Sequence, residues 1–371
     1  MRIISVVSLI TPDGAYGGPV RVAVNQAKAL IALGHDVRIA AATRGFDRPP
    51  TELDQVPLQL FPARTVLPGT GFAGIASPGL LRWLRSALPA ADVVHLHAAR
   101  DLITLPAAVL TRRAEVPYFV QTHGMIDPST NPLAKPLDAF LTKGVLRDAA
   151  GVFHLTDLER AQLLEVAGEL NFLPLANGVP AAEYTAAPLP PEVLYLARLA
   201  PRKRPLIFVE AARRLQPDFP TVRFSLVGPD EGEGAAVSAA IGAARAAGVA
   251  IEWSGGLAPD LTLDRLRECS LYVLPSVDEP YPMSVLEALS VGRPVVITET
   301  CGLAELVHRH QAGAVVDHSI ESLVAAISQL LSEPGAAIAS GERGRAAVRE
   351  ELSMAAIACQ LAAHYSAALS S

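Results

Sequence analysis

The segment Glu279-Pro280-Tyr281-Pro282-Met283-Ser284-Val285-Leu286-Glu287 sets two carboxylates eight positions apart, directly after an apolar run, Leu271 to Leu274. Pro282 reads as the opening of a helix, which leaves Glu279 in the loop before it and Glu287 more than one turn inside. Between the acids lie the N–H groups of Met283, Ser284 and Val285. The first donors of a helix lack partners within it, and the helix dipole adds positive potential, so these amides form an anion site. Carboxylates for hydroxyls flank amides for phosphates, a pattern that suggests a nucleotide-sugar site.

A second group of candidates lies in Ala197-Arg198-Leu199-Ala200-Pro201-Arg202-Lys203-Arg204-Pro205. A guanidinium binds a diphosphate bidentately and an ammonium adds a point charge, so Arg198 and Lys203 suit that ligand. The plainer reading is a solvated basic turn before a helix. Gly17-Gly18-Pro19 opens the first helix, where small residues let backbone amides approach an anion. Gly14-Ala15-Tyr16-Gly17-Gly18 does not supply the Gly-x-Gly-x-x-Gly of a dinucleotide site, so nicotinamide chemistry loses support. His123 ends an apolar strand, so its imidazole is expected to be aimed at a cleft beyond the strand ends, although a lone histidine is commonly structural. Gly228 and Pro229 follow another strand and line the nucleotide pocket in this reading, with Ser254-Gly255-Gly256 a weaker candidate. His95 and His97 alternate along a strand; they are expected to face opposite sides and to be poor candidates for a shared metal. No metal site is expected.

The elements that must position these groups alternate. Strands are expected near Ile3–Leu9, Val37–Ala41, Leu58–Phe61, Val93–Leu96, Tyr118–Gln121 and Val152–Leu155, with helices near Pro19–Leu33, Leu102–Arg113, Leu137–Asp148 and Asp157–Ala167. Gly34 suits a left-handed cap on the first helix. After a Pro-rich stretch, Pro180 to Pro191, a second strand–helix series runs from Val193–Leu196 to Ile320–Leu331. The pattern predicts an α/β chain of two Rossmann-like doubly wound domains, 1–182 and 183–350, with a closing helix in 351–371 that packs back on the first domain. Ligands of such sheets bind beyond the carboxyl ends of the strands, so a cleft where two such domains face each other is expected to hold the chemistry.

Length and composition agree: 371 residues exceed one typical domain, and a chain half hydrophobic and 18% charged is globular. The net charge of −6 falls on the second half, and the chain lacks the basic stripe of a duplex binder, so a nucleic-acid partner is disfavoured. Cys269, Cys301 and Cys359 are odd in number and widely spaced, which fits reduced thiols in a cytoplasm better than disulfides or zinc. Met1 to Val7 reads as a first strand rather than a secretory signal. No apolar run is long enough to span a bilayer. Ser77 to Leu88, with Trp83 between two arginines, reads either as a helix packed on the first domain or as an interfacial helix giving peripheral contact with the inner membrane surface.

In these motifs the chain resembles retaining GT-B glycosyltransferases, specifically glycosyltransferase family 4, over nearly its whole length. Gly17-Gly18 resembles the family's first glycine loop, Leu33-Gly34-His35-Asp36-Val37 its passage into the second strand, and Asn177-Gly178-Val179 the segment before its domain crossover. Arg198 and Lys203 have its five-residue separation, and Glu279 with Glu287 its paired acids. The resemblance implies that Arg198 and Lys203 neutralise a donor diphosphate, Glu279 contacts the transferred sugar, Glu287 holds the ribose and His123 lies beside the sugar. It also implies transfer with retention, in which the leaving phosphate takes the acceptor proton and no protein nucleophile is needed. The expected donor is a UDP- or GDP-linked sugar with no further cofactor, and the acceptor a glycan, a lipid-linked or a small molecule. Gln121 to Pro128 resembles members that assemble bacterial surface polysaccharides. Two departures stand out: Pro282 and Arg204 occupy positions where the family often has Gly. Pro282 removes one possible phosphate donor. Arg204 either adds a phosphate contact or faces solvent. A non-catalytic sugar-nucleotide binder, a sugar-nucleotide epimerase and a glycoside phosphorylase are the competing readings.

Overall fold

Alternating β-branched runs and amphipathic stretches sort into two parallel-sheet units in the computed structural model, which describes residues 1–12, 17–67, 69–129, 131, 134–180, 182–185, 189–258 and 261–370. Gly14, Ala15 and Tyr16 of the first glycine loop lie outside them. One unit comprises Met1–Gly178 with Met354–Ser371, the other Val179–Ser353. Position 182 thus falls inside the second unit. The Val179 N–H donates to the Leu352 carbonyl at 2.9 Å, so the two chain crossings run side by side and draw the residues after Gly178 into that unit.

In the first unit the elements run β1 (Arg2–Ile10), α1 (Gly17–Ala32), β2 (Asp36–Thr43), β3 (Glu52–Leu53), β4 (Val56–Pro62), β5 (Arg64–Thr65), β6 (Ile75–Ala76), α2 (Pro78–Ala87), β7 (Val93–His97), α3 (Thr104–Arg113), β8 (Tyr118–Gln121), α4 (Ala134–Leu137), α5 (Lys143–Arg147), β9 (Gly151–His154), α6 (Asp157–Ala167) and β10 (Phe172–Pro174). The sheet order is β10-β9-β8-β7-β1-β2-β4-β3, parallel throughout except at β3. β1 and β7 are adjacent, so the connections diverge there. β1 and β7 are almost wholly buried, as strands covered by helices on both faces must be. Gly34 takes φ +86°, the left-handed cap that closes α1. The single helix expected over Leu137–Asp148 is instead α4, a wider turn over Asp138–Thr142, and α5. Within that turn Asp138 pairs with the Arg100 guanidinium at 2.8 Å.

α2 buries Leu80 and Leu84, and Trp83 packs on Phe61 at 5.7 Å, so its apolar stripe serves the unit's own core. Among the described residues, no single helix is long and apolar enough to cross a membrane.

The second unit runs β11 (Glu192–Leu196), α7 (Pro205–Leu215), β12 (Arg223–Val227), α8 (Gly234–Ala246), β13 (Ile251–Trp253), α9 (Thr262–Arg267), β14 (Leu271–Leu274), α10 (Met283–Ser290), β15 (Val295–Thr298), α11 (Ala304–Arg309), β16 (Gly313–Val316), α12 (Ile320–Ser332) and α13 (Pro334–Glu351). Its order, β13-β12-β11-β14-β15-β16, is all parallel, with the switch between β11 and β14. That is the doubly wound arrangement whose ligands sit beyond the strand ends at the switch. α14 (Met354–Leu369) returns to the first unit. There Ile357, Ala358, Leu361 and Tyr365 share a core with Ile3, Val7 and Ala23.

Candidate functional site

In the second unit the two strands at the switch deliver the two motifs. β11 leads through Arg198 to a short 3-10 turn, Pro201–Lys203, and β14 leads through Pro275 and Ser276 to Glu279 and α10. The two loops are tied directly, because the Val277 N–H donates to the Arg202 carbonyl at 2.9 Å. The neighbouring β15 loop holds the acid's loop from the other side: Thr298 Oγ1 donates to Ser276 O at 2.5 Å, and the Gly302 N–H donates to Glu279 O at 2.8 Å. Gly302 must be glycine, since a Cβ there would lie 1.8 Å from the Pro280 carbonyl oxygen.

These ties bring Lys203 against Glu279. The ammonium forms a short ion pair with Glu279 Oε2, and the Arg202 guanidinium reaches the same oxygen at 3.0 Å. Lys203 and Glu279 keep only 11% and 9% of their side-chain exposure, whereas Arg202 keeps 42%. Burial pushes the Lys203 ammonium below its ordinary range against the pull of Glu279, and the Arg202 and Arg198 charges press the same way. Arg198 itself is 55% exposed and pairs with Glu231 at 2.7 Å. Its carbonyl accepts from the buried Tyr195 hydroxyl at 3.1 Å, which fixes the turn while leaving the guanidinium in solvent.

α10 starts beside this cluster. The Tyr272 hydroxyl donates to the Leu196 carbonyl at 3.0 Å and lies 2.7 Å from Ser284 Oγ, locking the helix entrance to the end of β11. Burial pushes this phenol well above its usual value, and the charges of Glu287 and Glu279 add to the effect, so both acids lie in its electrostatic neighbourhood. Glu287 is half-buried on α10. Of the three amides expected at a phosphate, Val285 donates to the Pro282 carbonyl at 3.1 Å and its side chain is buried; Met283 and Ser284 remain as the helix-end donors.

Two positions acquire a structural reason. Arg204 neither extends freely into solvent nor joins the cluster; it donates to the His318 carbonyl at 2.9 Å. Its φ of +53° is a left-handed value that favours glycine, which explains a glycine preference there without any ligand. Gly228 has a packing reason for its identity: a Cβ would lie 1.9 Å from the Ala197 carbonyl oxygen. Its N–H donates to Gly255 O at 2.7 Å and its carbonyl accepts from Trp253 Nε1 at 2.9 Å, so Gly228 joins the β11, β12 and β13 loops with its own backbone groups. Among the groups that sequence reasoning passed over, Arg202 sat in plain view within the basic run, while Tyr272 and Tyr195 carried only the signature of core strands.

In the first unit, α1 begins at Gly17, and no described heavy atom stands within 4 Å of where a Cβ of Gly18 would be. His123 follows β8 with φ +53°, and Gly124 with φ +72°. The turn is clamped by Glu159, a buried acid at the start of α6: Oε1 accepts from Thr122 Oγ1 at 2.5 Å and from the Gly124 N–H at 2.7 Å, while Oε2 accepts from the Leu155 N–H at 2.7 Å. His95 and His97 do not face opposite sides. The strand period is two residues, so positions 95 and 97 share a face, and their rings stack at 4.5 Å. His97 continues to His123, with Nδ1 to Nε2 2.8 Å apart. Burial holds His95 at about 3 and His123 at about 4, and His97 well below its ordinary value, so all three are neutral at pH 7. Among the described residues, no cluster of three His, Cys, Asp or Glu side chains is arranged as metal ligands.

Two doubly wound units, one with a cation–acid cluster and a helix entrance at its switch point, define the GT-B class. Residues 17–178 match the glycosyl transferase 4-like domain and residues 182–347 the glycosyl transferases group 1 family; the chain belongs to the family 4 GT-B glycosyltransferases. D-inositol 3-phosphate glycosyltransferase of Rhodococcus jostii is 33% identical over 149 residues, which is 38% of this chain and 33% of that protein. The chain thus spans about a third of that relative's length. Glycogen synthase of Mycobacterium tuberculosis is 26% identical over 295 residues, 75% of this chain and 69% of the relative. Among solved structures, HepE of Anabaena in complex with UDP superimposes with a TM-score of 0.74 at 18% identity, covering 99% of this chain and 100% of that one. Sucrose-phosphate synthase of Thermosynechococcus elongatus does so with a TM-score of 0.70, at 18% identity and full coverage of both chains.

Proposed function

We propose that this chain transfers a glycosyl group from a nucleoside-diphosphate sugar, UDP- or GDP-linked, to a glycan, lipid-linked or small-molecule acceptor, with retention at the anomeric carbon and without a metal ion. The second unit takes the donor and the first the acceptor. The observation that carries this reading is the Lys203–Glu279 pair at the switch point, with Arg198 and Arg202 beside it. An ammonium desolvated to this degree is costly, and the cost is repaid where an anion gains from it. Charge grows on the leaving diphosphate as the glycosidic bond breaks; fixed cations and the helix-end amides of Met283 and Ser284 favour that state over the bound ground state. Protein charge thereby does what a metal does elsewhere. Glu279, with one oxygen on Lys203 and Arg202, accepts from sugar hydroxyls through the other. Glu287 takes the ribose, and His123 donates to the transferred sugar.

The test pairs binding with product analysis. UDP, GDP and ADP are compared for thermal stabilisation of the chain, where a ligand at a hundred times its Kd contributes about 2.7 kcal/mol. Donor sugars are then offered with and without acceptor and chelator. A UDP or GDP shift, acceptor-dependent turnover in chelator and a product of unchanged anomeric configuration are the expected results. No shift with any nucleotide, an inverted product, or donor conversion without acceptor would each overturn the corresponding part of the proposal.

A further inference from the structure

The three stacked histidines raise a question that their neutrality leaves open: which ring nitrogen of each carries the proton. His97 is 1% exposed on β7, and its two nitrogens have different surroundings. Nδ1 stands 2.8 Å from His123 Nε2 with the two ring planes within 8° of parallel, while Nε2 is sealed from solvent and has no partner among the described residues. A single proton lies between Nδ1 of His97 and Nε2 of His123. If His123 held it, His97 would carry its own proton on Nε2, a buried N–H with no acceptor. If His97 holds it, the sealed nitrogen is a bare lone pair. Buried donors without acceptors are the rarer and costlier of the two conditions.

We infer that His97 donates through Nδ1 to His123 and thereby fixes His123 in the Nδ1–H tautomer, so that His123 presents a hydrogen-bond donor, not an acceptor, at the strand end. His123 Nε2 is occupied by His97, and Nδ1 alone is left to meet a ligand. Its backbone cannot drift, because the flanking Thr122 and Gly124 are both held by Glu159. His97 is therefore a positioning residue: its ring lies between those of His95 and His123, and it acts on substrate only through His123. The ligand class follows from the sign of the group. A neutral imidazole N–H recognises an oxygen acceptor, a sugar hydroxyl or ring oxygen in the reaction proposed above, on which the catalytic meaning of this inference rests.

The experiment starts with the unsubstituted protein and needs no activity. With histidine-selective nitrogen-15 labelling at pH 7, two-bond correlation spectra separate protonated from bare ring nitrogens, and the His123 signals are assigned by their loss in His123→Gln. The expected pattern is a protonated Nδ1 and a bare Nε2 on His123; the reverse pattern overturns the inference. Two substitutions follow. His97→Asn places an amide N–H where Nδ1–H stood and is expected to keep the His123 pattern and much of the turnover. His97→Leu removes the donor, and is expected to mix the two tautomers and lower kcat by about tenfold or more with a smaller effect on KM for the donor. Equal kcat in the Asn and Leu variants, or an unchanged His123 spectrum in the Leu variant, counts against a positioning role. Absence of transferase activity in the parent chain would defeat the proposed function while leaving the spectroscopic result to decide the tautomer.

Discussion

Lys203→Met deletes the buried cation that pairs with Glu279 while keeping most of the aliphatic stem, and its cost follows from the geometry. Removing one partner of a buried ion pair costs about 3–5 kcal/mol, because the other charge is stranded. Glu279 is not wholly stranded, since Arg202 holds the same oxygen at 3.0 Å. That guanidinium is 42% exposed, and an exposed pair contributes about 1 kcal/mol or less. The net expectation is a loss of about 2–4 kcal/mol. A unit of this size loses about 2–4 °C of Tm per kcal/mol, so the unliganded variant should melt about 5–15 °C lower. Glu279→Gln strands Lys203 in turn, and the double variant removes both charges together. The double loss should therefore fall short of the sum of the singles by about 1–3 kcal/mol. Turnover is a separate readout. A charge-assisted hydrogen bond to the departing diphosphate contributes about 1.5–3 kcal/mol, so kcat in Lys203→Met should fall about 10- to 150-fold. Denaturant unfolding of the four proteins and donor-saturated rates provide both numbers. Additive stabilities within about 0.5 kcal/mol would refute the coupling. An unchanged kcat would refute the placement of the cation at the diphosphate.

The neutral histidines predict acid sensitivity. In the pH range from 6.5 down to about 4, unfolded chains bind protons at His95 and His123 that the native unit excludes, so stability present above pH 6.5 is lost as pH falls toward the folded values of about 3 and about 4. Each group contributes a slope of about 1.4 kcal/mol per pH unit, about 4 kcal/mol for the two between pH 6.5 and 4.5. Urea titrations across that range measure it; His123→Gln should remove one proton's share of the slope, and identical slopes in the two proteins would dismiss the assignment. Glu159→Ala removes the acceptor of Thr122, Gly124 and Leu155, of which the Thr122 hydroxyl is buried, and should cost about 1–3 kcal/mol with a fall in kcat. A stability within about 0.5 kcal/mol of the parent would show that the turn at His123 is held by something else.

Several elements were legible residue for residue. Tyr118–Gln121, Arg223–Val227 and Leu271–Leu274 are short β-branched or aromatic runs between breakers, and fully buried parallel strands leave that trace. α11 and α13 were not read. α13 is rich in Ala and Gly with scattered charge, so its packing against the unit sets it rather than any apolar stripe of its own. At the site, Lys203 and Glu279 were picked out by type and position, and the structure pairs them. Arg202 is passed over for Arg198, although it is Arg202 that touches the acid, and Arg204, expected either to add a phosphate contact or to face solvent, is held by a carbonyl across the unit.

The amino-acid order alone determined that this is a two-part α/β chain with acids, cations and a helix entrance at the ends of its strands, because periodicity and breakers act over neighbouring residues. Partnership was decided only by the tertiary structure. Lys203 and Glu279 are 76 positions apart, Tyr365 meets His95 across 270, and the run from His95 through His97 to His123 exists only because β7 and β8 are adjacent. Whether a charge is screened, paired or desolvated depends on which distant groups surround it. That is a property of packing, and local sequence carries no record of it.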